Sequence, residues 1–355
     1  MKSAEMKAGV IAELDSGGVK PSTSPSASGF RLRVREITEA DHERVAQLLA
    51  KGFQRPVWYY AQALQRLSLH PTPPGLSKYG FVMEANDVPV GAVLLIFSSV
   101  QLDGNTQTRC NITSWYVEPA YKSYAAVFTS RALRHPHVTY INVSARPAAR
   151  PIIKAQGFQT YSRGQYVAIP ALHGEPDEGP VRICGIDTSP EVPFEAVDQQ
   201  LLSAHAEFGC MSLWCLTQER AYPFVFLPRL FKRLLPGVQL IYCRDTEDLV
   251  RFAGPLGRFL ALRGKLVVSV DSNGPIGGLI GKYIEGKSPR FFKGPAPPRL
   301  GDISYTQAAM FPWPWPAGVS RSAGAASLKI RTGSDKALNC AKLDARPMKF
   351  DAATR

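Results

Sequence analysis

The stretch Val117-Glu118-Pro119-Ala120-Tyr121-Lys122-Ser123-Tyr124-Ala125-Ala126-Val127 joins a predicted strand to a predicted helix. The strand ends in Trp115-Tyr116-Val117, and the helix is expected from about Ala125 to Arg134. Main-chain N–H groups at such a turn, together with the positive end of a helix, can bind a diphosphate without particular side chains. An ordinary turn with an exposed lysine is the plainer alternative. The residues predicted to bind a phosphate-bearing cofactor are Val117, Lys122, Ser123, Tyr124, Ala125 and Ala126.

This segment resembles the glycine-rich turn of the GNAT (GCN5-related N-acetyltransferase) superfamily, which follows a strand ending in V-x-P-x-Y. A second segment, Ser144–Ala149 followed by Gly157-Phe158, is similar to the strand-to-helix motif of the same superfamily. The resemblance covers residues 30–171. It implies acetyl-CoA or another acyl-CoA as donor, an amine as acceptor and no metal. It also implies a donor cleft between diverging strands near Val117 and Val138–Val143, with a backbone N–H near Tyr116–Val117 stabilising the oxyanion.

The chain departs from the superfamily pattern at residues that matter for chemistry. Ala125 and Val127 stand at the turn positions where glycine or a small residue is usual, and Arg146 replaces an asparagine. Ile153 stands where many members carry a tyrosine that protonates the departing thiolate, and isoleucine cannot donate a proton. A matched acid and base are what such a reaction usually uses. The candidates that remain for these roles are Tyr116, Glu84 and Tyr283.

The second half of the chain repeats a pattern of residues that flanks the predicted strands of the first half. Ala132-Leu133-Arg134 precedes a predicted strand and then Pro147, and Ala261-Leu262-Arg263 precedes another strand and then Pro275. The alanine and the proline are 15 residues apart in the first copy and 14 in the second. The strand-turn-strand Ser212–Leu227 likewise mirrors Phe81–Phe97. Matches in the same order indicate duplication of one α/β unit.

Composition divides the chain into five segments. We predict a disordered leader over 1–29, a GNAT-like domain over 30–171, a linker over 172–180, a degenerate GNAT-like domain over 181–311 and a disordered basic tail over 312–355. The predicted fold class is α/β (α+β), with two tandem domains, each a mixed, mostly antiparallel twisted sheet flanked by helices. Final hairpins are expected after Phe158 in the first copy and over Arg290–Phe292 and Ile303–Phe311 in the second.

Weaker signals accompany these. Arg251 and Gly254 keep the spacing of a second cofactor turn, although a vestigial turn is the plainer interpretation. The aromatic residues Trp58, Tyr59 and Tyr60 could line an acceptor pocket or simply pack in the core. Tyr283 is expected on a helix, facing away from the position that corresponds to Ile153.

Charge and cysteine content limit which partners and which cellular compartment are expected. The chain of 355 residues has a net charge of +13, which favours anionic partners and leaves nucleic acid open. Its six cysteines form no CxxC pair, so reduced thiols in a cytoplasmic protein are expected. No apolar run approaches the roughly 20 residues that span a bilayer.

These observations predict a cytoplasmic acyltransferase with an acyl-CoA donor and an amine acceptor. The alternative is a degenerate, non-catalytic pair of GNAT-like domains that binds coenzyme A or a protein partner. A nucleic-acid binder, supported only by charge, is a third possibility and predicts salt-sensitive retention on DNA.

Overall fold

The computed structural model of the chain describes residues 31–102, 104–176, 179–232 and 234–311. The predicted leader 1–29 and the predicted tail 312–355 lie outside these residues. The described residues from Leu32 to Phe311 form one compact unit.

Six strands and four helices make up the first half of the described chain. The strands are β1 (Leu32–Glu36), β2 (Gly80–Ala85), β3 (Val88–Leu102), β4 (Asn105–Val117), β5 (Thr139–Asn142) and β6 (Gln159–Ala168). The helices are α1 (His42–Phe53), α2 (Val57–Leu69), α3 (Ala125–Ala132) and α4 (Arg150–Ala155).

The second half has the same number of strands and four further helices. The strands are β7 (Arg182–Gly185), β8 (Met211–Leu216), β9 (Ala221–Phe231), β10 (Leu235–Cys243), β11 (Val267–Ser272) and β12 (Gly281–Lys293). The helices are α5 (Ala196–Glu207), α6 (Thr246–Arg251), α7 (Ala253–Ala261) and α8 (Gln307–Met310).

The twelve strands form one sheet in the order β1-β2-β3-β4-β5-β12-β6-β11-β10-β9-β8-β7. If each strand of the first half is exchanged with the strand numbered six higher (β1 with β7, β2 with β8 and so on), and the order is then read from the opposite edge of the sheet, the same order results. Only β4–β5 and β10–β11 pair in parallel, and they are equivalent under this exchange. The sheet order therefore has the internal two-fold relation that a duplicated unit predicts.

The last strand of each half pairs with the opposite half. Strand β12 lies between β5 and β6, and β6 lies between β12 and β11. The predicted class, an α/β fold with a mixed, mostly antiparallel sheet and flanking helices, is confirmed. The sheet is continuous, however, where two sheets were expected, because each half completes its sheet with a strand of the other.

Neither predicted terminal hairpin forms. Residues after Phe158 give the single strand β6, which finds its partners in β11 and β12. The segment 303–311 contains the short helix α8 where a strand was expected. Thr306 caps α8 by accepting a hydrogen bond from the N–H of Ala308, which favours a helical turn there.

Local sequence accounts for several of these elements. Val45, Leu48 and Leu49 form the buried face of α1, which packs with α2 on one face of the sheet. Phe128 of α3 and Ile153 of α4 are buried in a cluster on strands β2 to β4. The turn between β2 and β3 has positive φ at Asn86 and Asp87, as a tight hairpin turn requires.

A buried ion pair crosses the exchanged strands. The Nε of Arg290, on β12, donates to Oδ2 of Asp271, on β11, at 2.8 Å. The same guanidinium donates through Nη1 to the carbonyl oxygen of Val143, just after β5. Arg290 thereby connects β11, β12 and the end of β5, with both charged side chains buried.

Replacing Asp271 by leucine is expected to destabilise the fold strongly, because the charge of Arg290 stays buried without its partner. Loss of one partner from such a pair costs about 3 to 5 kcal/mol. Urea unfolding followed by circular dichroism measures the change. The control is Glu175→Gln, which removes the more exposed ion pair to Arg258 and should cost at most about 1 kcal/mol. Equal losses in the two variants would show that the pair has no special role.

A buried histidine on α5 is held in its neutral form. The Nδ1 of His205 donates to the carbonyl oxygen of Leu201 at 2.8 Å, and its Nε2 accepts from the N–H of Tyr305 at 3.2 Å. Burial lowers the pKa of His205 from 6.5 to about 4. Below pH 6.5 the unfolded chain therefore binds a proton at His205, whereas the folded chain binds it only as the pH approaches 4.

Stability is expected to fall as the pH drops from 6.5 towards 4, because only the unfolded state is protonated in that window. For His205 the linkage amounts to about 2 kcal/mol between pH 7 and pH 5. Urea unfolding at the two pH values measures it. In His205→Gln the pH dependence should shrink by about that amount, and an unchanged slope would assign the effect to other groups.

Candidate functional site

Strands β4 and β5 pair in parallel for only three residues and then separate. The register runs Arg109↔Thr139, Cys110↔Tyr140 and Asn111↔Ile141. Beyond this point β4 continues to Val117, whereas β5 ends at Asn142. The two strands thus leave a wedge-shaped opening in the sheet, at the position where the sequence predicts a donor cleft.

A bulge bends β4 at this opening. Between the pairs Ala92↔Tyr116 and Leu94↔Thr113, two residues of β4 face one residue of β3. Ser114, one of the two, has a φ of 52°. A bulge of this kind kinks its strand and redirects the residues that follow. It therefore contributes to the separation of β4 from β5.

The main chain after the bulge directs an N–H group towards the opening. The N–H of Glu118 donates to the carbonyl oxygen of Val90, on β3, at 2.8 Å. Amide directions alternate along an antiparallel strand. The N–H of Val117 is accordingly directed away from β3, to the side where β5 has separated.

The predicted phosphate cradle has the form of a 3-10 helix. Residues Pro119–Tyr124 make this helix, which continues directly into α3. The N–H of Ala125 donates to the carbonyl oxygen of Lys122, and that of Tyr121 donates to Glu118. Residues 117–127 are all described, and none has a positive φ. An anion-binding nest needs residues that alternate between right- and left-handed backbone conformations. The left-handed conformation favours glycine, so the non-glycine residues at 125 and 127 are consistent with a tight 3-10 turn in place of a nest.

The predicted cofactor-binding residues are the last residue of β4 and residues of the turn and helix that follow it. Val117 ends β4, and the side chains of Lys122 and Ser123 are exposed to solvent. Tyr124 and Ala125 are partly buried at the start of α3, and Ala126 is exposed. Their role in binding a diphosphate stays a prediction.

Glu84 and Tyr116 occupy different environments. The carboxylate of Glu84 is buried and accepts hydrogen bonds from Arg35 at 2.6 Å and from Arg33 at 2.9 Å. Burial alone would raise the pKa of Glu84, but these two guanidinium groups outweigh it and leave the pKa below its usual value. Glu84 is thus poorly suited to accept a proton. Tyr116 lies at the opening itself and packs its ring against Phe53 of α1, with 6.1 Å between ring centroids.

Tyr283 lies in a strand, not in the helix expected from the repeat. It belongs to β12 and is paired with Tyr166 of β6. The segment 273–280 carries glycine at 274, 277 and 278, and no helix forms there. The second copy therefore has no counterpart of α4, and Tyr283 lies in the part of β12 that pairs with β6 and not in the part that pairs with β5.

The second predicted turn is closed by the chain itself. Arg251 donates through Nη1 to the hydroxyl of Tyr222 at 2.8 Å, and its guanidinium lies over the ring of Phe252. A Cβ on Gly254 would overlap the carbonyl oxygen of Gly174, in the predicted linker 172–180. The linker packs directly on the N-terminal half of α7, which leaves no space for a diphosphate.

The aromatic cluster on α2 divides between core and surface. Tyr60 is buried in the core with α1, whereas Trp58 is 53% exposed. Tyr59 contacts Phe311, with 6.1 Å between ring centroids, and lines a cavity of about 610 Å³. This cavity lies beside Val143 and Ser144, at the end of β5.

Sequence reasoning missed this cavity. Its basic lining residues come from segments far apart in the chain, so no local run of charge marks it. They are Arg55, Arg150, Arg229, Lys232, Lys287 and Arg290. Only the excess of positive charge over the whole chain pointed towards an anionic ligand.

The described ranges contain no helix long and apolar enough to cross a membrane. Among the same residues, no group of three His, Cys, Asp or Glu side chains could hold a metal ion. Cysteines 110, 184, 210, 215 and 243 are buried and form no disulfide bond.

No family model matches the chain, and no curated protein matches it. Solved structures that match include a putative acetyltransferase from Pyrococcus horikoshii, with 15% identity and a TM-score of 0.46, covering 79% of this chain and 95% of that one. A GCN5-related N-acetyltransferase from Kribbella flavida is 14% identical with a TM-score of 0.47, covering 74% and 71%. One from Anabaena variabilis is 9% identical with a TM-score of 0.48, covering 74% and 72%.

The last two belong to the superfamily that residues 117–127 resemble.

Replacing Gly257 by alanine tests the closure of the second turn. A Cβ at this position would overlap the main chain of Pro170 and Ala171, so the loss of stability should be about 1 to 3 kcal/mol or more. Thermal and urea unfolding measure it. The control is Gly185→Ala, where no atom lies within 4 Å of the added Cβ. A neutral Gly257→Ala variant would mean that the turn is open in solution.

Proposed function

We propose that the chain is an acyltransferase that moves an acyl group from acyl-CoA to an amine, with the acyl site between β4 and β5. The observation that supports it is the separation of these strands after Asn111 and Ile141, together with the bulge at Ser114. Strands that separate inside a sheet leave backbone amide groups in need of partners. The arm of coenzyme A carries amide groups that can pair with them.

In this proposal the N–H of Val117 stabilises the transition state. The amine attacks the thioester carbonyl, a C–N bond forms, and negative charge develops on the carbonyl oxygen. A fixed N–H at that oxygen is a large source of rate enhancement. The C–S bond then breaks and coenzyme A leaves as the thiolate.

Proton transfer in this scheme relies on water. Ile153 is buried in the core and has no proton to give to the thiolate. Glu84 is held by two arginines, and its lowered pKa makes it a weak base. The amine proton and the thiolate proton therefore exchange with solvent, and positioning of the reactants supplies most of the rate.

A second candidate function is binding without catalysis. It is favoured by the 3-10 helix at Pro119–Tyr124, whose amides are bonded within the turn, and by the closed turn at Gly254. On this alternative the chain binds coenzyme A weakly, or a protein partner, and has no turnover.

Titration calorimetry with acetyl-CoA, followed by a free-thiol release assay over a panel of amines, separates the two candidates. The acyltransferase proposal expects binding and amine-dependent thiol release. Binding without release supports the non-catalytic alternative. Absence of binding counts against both.

Replacing Val117 by proline removes the N–H and should lower kcat by about 10²- to 10³-fold, with the Kd for acetyl-CoA changed only a few-fold. The control Val117→Ala keeps the N–H and should retain activity within a few-fold. If the proline variant fails to fold by circular dichroism, the α-hydroxy analogue of valine at 117 removes the same N–H without the ring. Full activity of a folded variant that lacks this N–H would refute its role.

A further inference from the structure

The cavity of about 610 Å³ beside the end of β5 gathers positive charge in a partly enclosed space. Its lining includes six Lys or Arg residues and, among the described residues, no Asp or Glu. They reach it from the link between α1 and α2, the start of α4, the end of β9 and the middle of β12. The fold therefore gathers distant cations at one point.

Among the described residues, no carboxylate lines the cavity beside these cations. Arg290 is neutralised by Asp271, which lies behind the cavity wall. The Nε of Arg150 is enclosed and has no hydrogen-bond partner among the described residues. Burial and the charge of Lys232 lower the pKa of Lys287. Burial, followed by the charge of Arg290, lowers the pKa of Arg229 to about 9.

Like charges held together in a partly enclosed space repel one another, and an anion relieves this repulsion. Neutral polar groups complete the lining, among them Ser144, Ser269 and Gln239. Tyr59 and Phe311 give it an apolar wall. The volume lies in the range of small-molecule sites.

We propose that this cavity is a binding site for a small molecule that carries phosphate or carboxylate groups. The guanidinium and ammonium groups bind its anionic oxygens, and the aromatic wall packs against its less polar part. The cavity is concave and enclosed on several sides, whereas a duplex needs an open basic surface. The proposal is therefore a small anion and not nucleic acid.

Its position gives the anion a role in acyl transfer, and this extension rests on the proposed function. Val143 and Ser144 line the cavity and directly follow β5, one wall of the acyl site. A molecule held in the cavity by its anionic end can extend an amine towards that wall. The acceptor would then be an amine that carries a phosphate or carboxylate group.

Binding is tested on the full chain by titration calorimetry, with inorganic pyrophosphate and citrate as the phosphate and carboxylate probes at constant ionic strength. Wild type should bind at least one probe with a millimolar or lower Kd. The double variant Lys232→Gln/Lys287→Gln should bind it at least ten-fold more weakly. The control Lys282→Gln removes an exposed charge on the same strand, outside the cavity, and should bind within two-fold of wild type.

Three results would overturn the site. They are absence of binding of both probes to wild type, equal weakening in the double variant and the control, and displacement of the probe by a DNA duplex with steep salt dependence. Circular dichroism and urea unfolding show whether the double variant is folded. If it is not, Lys287→Gln alone replaces it, with the same ten-fold criterion.

The extension to the acceptor has its own readout. Phosphoethanolamine should have a kcat/KM at least ten-fold above that of ethanolamine, and the double variant should lose most of that ratio. Probe binding without any thiol release would leave the anion site in place and refute only the acyltransferase proposal. Equal use of both amines would refute the acceptor role and not the binding site.

Discussion

The side chain of Arg290 holds the centre of the sheet together. It bonds to Asp271 of β11 and to the carbonyl oxygen of Val143 after β5, while its own strand, β12, pairs with β5 and β6. One buried guanidinium thus joins strands from both halves of the chain. It also forms part of the wall of the basic cavity. The structural role of Arg290 and the proposed binding site therefore meet at the point where the two halves exchange strands.

The two copies that the sequence predicts differ at the turn after their parallel strands. Both have a bulge in the strand before that turn, in β4 and in β10, and the first copy has an exposed turn at 119–124. In the second copy β10 and β11 also pair in parallel over three residues, but the following turn is covered by the linker at Gly254 and Gly257. In the first copy, by contrast, no residue of the corresponding turn, Pro119–Tyr124, is buried. The second copy supplies a strand and most of the basic side chains of the neighbouring cavity.

Local pattern was enough to predict the elements whose residues carry their own signal. Hydrophobic periodicity and turn chemistry predicted the strand that ends at Val117, the helix that begins near Ala125 and the turn within Phe81–Phe97. The exchange of β6 and β12 could not be predicted, because the sequence of a strand indicates which of its faces is buried but does not indicate which strand lies beside it. Tyr283 was misplaced for a related reason. The repeat implied a helix in this part of the chain, whereas residues 273–280, with glycine at 274, 277 and 278, form a loop that leads into β12.

The exchanged strands have a consequence for how the protein is made. A nascent chain that has not yet produced β12 exposes the edge of β5, and such an edge can pair with other chains. The first half therefore completes its sheet only after nearly all of the described chain has left the ribosome, so folding in the order of synthesis is disfavoured. By the same geometry, two fragments cut at the linker would each carry the strand that the other lacks, and mixing them could rebuild the sheet between separate molecules.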